Sequence, residues 1–216
     1  MEHRHLFLFG GSPPFTQKLG HLFSSIVQQR KGRVGILFVE RDGWEAYMQK
    51  YTSVLQQFGI EDFYYFPLSQ QKLSNFELER LRACSGIVIG GGNTELYQKR
   101  MVRTNIGDIV KSMYQKGIPV AGFSAGALIS PVHCVIPPID NELNQHLFLE
   151  GLGLISNAVV SVHFTKWKEK ENLLTAMERT NVSVGYGIDD ESGIYFTNEQ
   201  YVQHEGNVYT FKSIRR

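Results

Sequence analysis

The sequence predicts a doubly wound α/β domain, a mainly parallel sheet with helices on both faces. Two patterns carry that expectation. Short runs that are apolar throughout alternate with helix-length amphipathic segments, as they do when strands are buried on both faces and joined by crossover helices. Several of these runs stop at glycines (Gly10-Gly11, Gly90-Gly91-Gly92, Gly122), where a strand turns sharply at the carboxyl edge of such a sheet. No internal repeat, low-complexity run or linker divides the 216 residues, so one domain, 1–216, is expected.

The elements follow in order. Leu6–Phe9 is the first strand, ending at Gly10-Gly11. Residues 15–29 carry Leu19, Leu22, Phe23, Ile26 and Val27 at helical spacing. Val34–Val39 is the second strand, residues 44–58 a helix, and Asp62–Phe66 a short third strand. Ser74 and Glu77 have the spacing of a capping box that opens a helix through Leu81. Gly86–Ile89 is the fourth strand and Gly90-Gly91-Gly92-Asn93-Thr94 its exit. A helical stretch over 95–113 breaks near Thr104 and precedes the fifth strand, Ile118–Ala121. Further on, 131–138 reads as a Pro-rich connection, Ala158–Val162 as a strand and 166–179 as a charged helix. The tail changes character. Runs at 192–196, 201–204 and 208–211 are punctuated by Thr197-Asn198 and Gly206-Asn207, hairpin signals that predict a small antiparallel C-terminal appendage.

Composition excludes some partners. Lys and Arg total 22 against 21 Asp and Glu, a balance without the basic footprint of a nucleic-acid or membrane-surface binder. No segment is apolar for long enough to be a signal peptide or to span a bilayer, so no membrane contact is expected and the cytoplasm is the default compartment. There Cys84 and Cys134 are expected as reduced thiols. His133-Cys134 resembles half a metal site with no second half at ligand spacing, and neither a metal nor a cofactor is expected.

Chemistry concentrates at Gly122-Phe123-Ser124-Ala125-Gly126, the spacing G-x-S-x-G between a strand and a helix. Such a turn lifts one hydroxyl clear of the sheet, where a base can reach it. A serine that merely caps a helix would also fit the letters. A nucleophilic serine needs a base, a carboxylate behind that base, and N–H donors for the developing oxyanion. His163, just beyond the strand at 158–162, is the candidate base. The acids Asp189, Asp190 and Glu191 follow the apolar run through Ile188. The N–H of Ala125 is one natural donor, and Gly90–Gly92 offers another. That run is no P-loop, since no Gly-Lys-Ser/Thr follows.

Gly90–Thr94, Gly122–Ala127, Gly151-Leu152-Gly153-Leu154 and Gly187-Ile188-Asp189-Asp190 occur in this order. Together they make the chain resemble the peptidase E and cyanophycinase family of serine peptidases. The resemblance implies a flavodoxin-like fold, similar to that of class I glutamine amidotransferases. It matches Ser124 to the nucleophile, His163 to the base, and Gly91 and Gly92 to the oxyanion loop. The family's acid is usually a glutamate; here that slot holds Asp190, with Glu191 next to it. Family members cleave dipeptides with N-terminal aspartate, or the aspartate–arginine polymer cyanophycin, so a small peptide is the implied substrate.

Three functions follow. The first is a serine peptidase using Ser124, His163 and either Asp190 or Glu191. The second is an α/β-hydrolase esterase, whose order of serine, acid, histidine is met by Ser124, Asp190 and His204. The third is a degenerate small-ligand binder. An amidotransferase is disfavoured because its elbow residue is cysteine. Residues 12–16 and 131–147 are the candidate specificity loops, and a homodimer is left open.

Overall fold

The computed structural model describes residues 2–30 and 32–213. Its first strand, β1 (His5–Phe9), shows why the strand runs are apolar throughout. Leu6 and Leu8 enter one hydrophobic core while Phe7 and Phe9 enter another, because successive side chains leave opposite faces of a sheet. Helices α1 (Gln17–Gln28) and α2 (Trp44–Gln57) cover the Phe7 face through Phe23, Val27, Met48 and Leu55. The other face is covered by α3 (Asn75–Arg82), by α4 (Thr94–Tyr97) with the π-helical turn Gln98–Val102 that continues it, and by α5 (Asn105–Gln115).

Strands β2 (Val34–Val39) and β4 (Gly86–Ile89) have the expected bounds. Strand β3 runs Phe63–Leu68 and tolerates Pro67 because it lies at the sheet edge, where a missing N–H costs no ladder bond. Strand β5 is Val120–Phe123, two residues later than the sequence implies. The N–H of Ile118 is still bonded to Met113 at the end of α5, and Pro119 has no N–H to offer. After the one-turn helix α6 (Ala125–Leu128), the expected Pro-rich connection contains a strand, β6 (His133–Ile136). It pairs with β7 (Leu147–Glu150) as an antiparallel ribbon. Helix α7 is Lys170–Thr180, after β8 (Ala158–Ser161); it starts late because Lys168 has a left-handed backbone, φ 57°, which interrupts helix.

Then come β9 (Val184–Ile188), β10 (Gly193–Thr197), β11 (Gln200–Glu205) and β12 (Val208–Lys212). The main sheet has the order β11-β10-β1-β5-β4-β2-β3 and a second has the order β12-β9-β8. Strands β1, β5, β4, β2 and β3 are parallel to their neighbours in this group. The antiparallel tail strands are divided between the sheets: β10 and β11 extend the main sheet beside β1, and β12 pairs with β9. This order places the carboxyl ends of β1, β5 and β4 side by side. Backbone bonds tie in the rest: Ser124 N donates to Phe9 O, His163 N to Gly10 O and Gly10 N to Ser192 O, at 2.9, 3.0 and 3.1 Å.

The capping box of α3 forms as spaced. The Ser74 hydroxyl accepts from Glu77 N at 3.3 Å, and the Glu77 carboxylate accepts from Ser74 N at 2.7 Å. These bonds, first the Ser74 hydroxyl and then its N–H, hold the Glu77 carboxyl below the usual glutamate range. Ser74→Ala is expected to cost about 1 kcal/mol in urea unfolding at neutral pH. A carboxyl depressed in the folded state stabilises above its unfolded pKa, and that contribution is lost as pH falls through the folded value. The gap between wild type and variant should therefore shrink on acidification; a gap that widens would contradict the pairing.

Cys84 and Cys134 are buried and free. Burial pushes each thiol up to about 12, which keeps thiolate chemistry out of reach near neutrality. Among the described residues no helix is long and apolar enough to cross a membrane.

Candidate active site

Ser124 sits at φ 46°, ψ −106°, a conformation glycine adopts freely and other residues rarely do. The surrounding glycines make the turn possible. A Cβ on Gly122 would fall 2.5 Å from the carbonyl oxygen of Gly126, and one on Gly126 would fall 2.4 Å from that of Ile89. The strained serine thus leads into a helix whose first turn packs backbone against backbone on the ends of β5 and β4, which is how a tight strand-to-helix elbow exposes its side chain.

The Ser124 hydroxyl lies 3.0 Å from His163 Nε2, and His163 Nδ1 lies 2.6 Å from Asp190 Oδ1. A proton on Nδ1 satisfies both contacts at once: Nδ1–H donates to the carboxylate and Nε2 accepts from the serine. The two partners arrive from different strands, His163 after β8 and Asp190 after β9. His163 itself has a left-handed backbone, φ 48°, and the Trp167 ring packs 4.3 Å from its imidazole, centre to centre. Lys166 Nζ lies 4.0 Å from the second Asp190 oxygen.

The three adjacent acids separate cleanly. Asp189 accepts from the Thr165 N–H at 2.7 Å and its hydroxyl at 2.9 Å, and so pins the turn that carries His163. Asp190 faces the imidazole. Glu191 is exposed, with φ 56°, and its side chain has no bond to His163. Of the two acids the sequence leaves open, Asp190 is the one within reach of His163, while the left-handed backbone at residue 191 turns the exposed Glu191 side chain away. His204, the base of the esterase alternative, lies on β11 and bonds the Tyr201 hydroxyl at 2.8 Å, away from Ser124.

The glycine loop divides in the same way. Gly90 is dictated by two buried tyrosines, since a Cβ there would meet the hydroxyls of Tyr51 and Tyr97 at 2.7 and 2.8 Å. The N–H of Gly91 donates to the Tyr51 hydroxyl at 2.9 Å. Gly91 is therefore corrected as an N–H donor to an oxyanion, because its hydrogen is already committed. Gly92 is exposed at φ 146°, a backbone open to glycine, and its N–H has no acceptor among the described residues; neither has that of Ala125.

Four features had no role in the sequence reading, which placed Gly10-Gly11 only at the carboxyl edge of the sheet. A Cβ on Gly11 would sit 2.5 Å from Asp190 Oδ1, and one on Gly10 would sit 2.2 Å from Ile188 O, so this pair makes room for the acid. Trp167 is the second. The third is Asp140, in the loop after β6, which accepts from the buried Thr94 hydroxyl at 2.7 Å. Burial pushes its carboxyl upward, against the pull of Thr94 and of His163 nearby. The fourth is the tyrosine pair. Only Gly10-Gly11 carried a local signal, a doublet at a strand end. A cavity of about 820 Å³ lies elsewhere, between residues 68–73 and 96–106, and none of Ser124, His163 or Asp190 lines it.

Known proteins match over this framework. The model of peptidase family S51 matches residues 6–204. The cyanophycinase of Trichormus variabilis is 24% identical over 160 residues, which is 71% of this chain and 54% of that protein. The cyanophycinase of Geminocystis herdmanii is 22% identical over 161 residues, 71% of this chain and 59% of its own. The chain thus spans little more than half the length of these relatives. Among solved structures, a peptidase from an acI-B1 actinobacterium superposes with TM-score 0.72 at 17% identity, covering 98% of this chain and 95% of its own. A candidate peptidase E from Listeria monocytogenes EGD-e gives 0.67 at 17%, covering 98% and 99%. At that identity the two structures speak for the fold.

Proposed function

The chain belongs to peptidase family S51, and on that premise we propose that it is a serine peptidase hydrolysing short peptides through an acyl-enzyme on Ser124. One observation carries the reading: the unbroken contact from the Ser124 hydroxyl through His163 to Asp190, at 3.0 and 2.6 Å. His163 Nε2 takes the hydroxyl proton as Ser124 attacks the scissile carbonyl, then gives it to the departing amine. Asp190 keeps the imidazole in the required tautomer and stabilises the imidazolium. The N–H groups of Ala125 and Gly92 receive the carbonyl oxygen as it becomes negative. Water, activated by the same histidine, then releases the acyl group.

The substrate class rests on family membership. Dipeptides with N-terminal aspartate are one arm of the test, and cyanophycin, for which the relatives are named, is the other. A dipeptide-library screen with Ser124→Ala as control is expected to show cleavage of short peptides by the wild type alone. Cleavage of p-nitrophenyl esters with no peptide cleaved would overturn the peptidase reading.

A further inference from the structure

We propose that Tyr97 and Tyr51 are positioning residues that aim the Gly92 N–H at the developing oxyanion. This rests on the acyl-transfer reading of Ser124 and goes beyond it, because neither tyrosine touches substrate.

Both rings are fully buried, Tyr51 on α2 and Tyr97 at the end of α4. Their hydroxyls converge on one residue of the glycine loop. Tyr51 accepts from Gly91 N at 2.9 Å, and Tyr97 donates to Gly91 O at 3.2 Å. Gly91 is thereby gripped at both ends of its own backbone.

The consequence follows from peptide geometry. The Gly91 carbonyl and the Gly92 N–H belong to one planar trans peptide, in which C=O and N–H point in opposite directions. Drawing the carbonyl inward to Tyr97 turns the Gly92 N–H outward. Gly92 is exposed, and a Cβ on Gly91 would lie 3.4 Å from Ser124 Cβ, so this loop borders the nucleophile. Without the grip, a loop of three glycines has the widest backbone freedom of any sequence and would present that N–H in many directions. Oxyanion stabilisation depends on donors fixed before the charge appears. The tyrosines supply that fixity from below, and Gly90 has no side chain because theirs fill its space.

The test uses Tyr97→Phe and Tyr51→Phe in the full chain. A fluorophosphonate probe reports on Ser124 without knowledge of the substrate, since its phosphoryl oxygen must enter the same donor pair. Tyr97→Phe is expected to slow labelling by about 10- to 100-fold, less than the 10²–10³ reported for deleting a donor outright. Tyr51→Phe is expected to slow it by a smaller factor, because it frees the N–H end of Gly91 and leaves the carbonyl bonded. In both variants the pH midpoint of labelling should stay at the wild-type value, because the serine, histidine and aspartate are untouched. On a peptide identified in the screen, kcat should fall with KM unchanged. Labelling at the wild-type rate in Tyr97→Phe overturns the proposal. So does a loss accompanied by a shifted pH midpoint or a matching rise in KM, which would mean general damage to the site. If wild type itself fails to label, the acyl-transfer reading has failed instead.

Discussion

Replacing Ser124 by alanine is expected to lower kcat for peptide cleavage by about 10⁵- to 10⁶-fold, the scale seen when a hydrolase loses its nucleophile. His163→Ala should cost nearly as much, and the double variant little more, because the two groups act as one unit. Stability gives a second readout. The strain at Ser124, φ 46° and ψ −106°, belongs to the backbone, so alanine inherits it and the melting temperature should scarcely move. Ser124→Gly is different, since glycine occupies that region without penalty. It should be more stable than Ser124→Ala by about 1 kcal/mol while equally inactive. A site that gains stability as it loses function is one where the sequence has kept a strained residue for its chemistry. Thermal unfolding of the two variants beside their kcat values decides it. If glycine is no more stable than alanine, the strain is not held at this residue. If either variant retains appreciable hydrolysis, Ser124 is not the nucleophile.

How much of this was legible depended on where the deciding contacts lie in the chain. Strands β1, β2 and β4 could be read almost to the residue because each is buried on both faces, which leaves an uninterrupted apolar run. Strands β6 and β7 could not, because each is four residues long and pairs only with the other. The prolines around β6 flank it, yet in the sequence they look like breaks. In the site, Ser124 and His163 were legible from local letters: a glycine-framed serine, and a histidine at a strand exit. The choice between Asp190 and Glu191 was not, since both lie beyond the end of β9 and the left-handed turn at 191 is what separates them. The choice between Gly91 and Gly92 was harder still. It is made by Tyr51, 40 residues upstream, and nothing near the glycines announces that partner.

Asp190→Asn carries the second large expected effect, and it tests the joint that was least legible. The carboxylate holds the proton on His163 Nδ1 at 2.6 Å, which leaves Nε2 free to accept from Ser124. An asparagine amide can turn its NH₂ toward Nδ1 and move the ring proton to Nε2. The imidazole would then donate to the serine instead of receiving from it. A fall of about 10⁴ in kcat, with KM nearly unchanged, is expected from that tautomer change. Glu191→Gln is the internal control and should remain within a few-fold of wild type, since its side chain is exposed and unbonded to the histidine. Gly11→Ala approaches the same joint by steric means alone. Its Cβ would fall 2.5 Å from Asp190 Oδ1, so the carboxylate must shift from the histidine, and a smaller loss with the same unchanged KM should result. Steady-state kinetics on the three variants separate the outcomes. Asp190→Asn within tenfold of wild type, or Glu191→Gln as damaging as Asp190→Asn, would remove Asp190 from the relay.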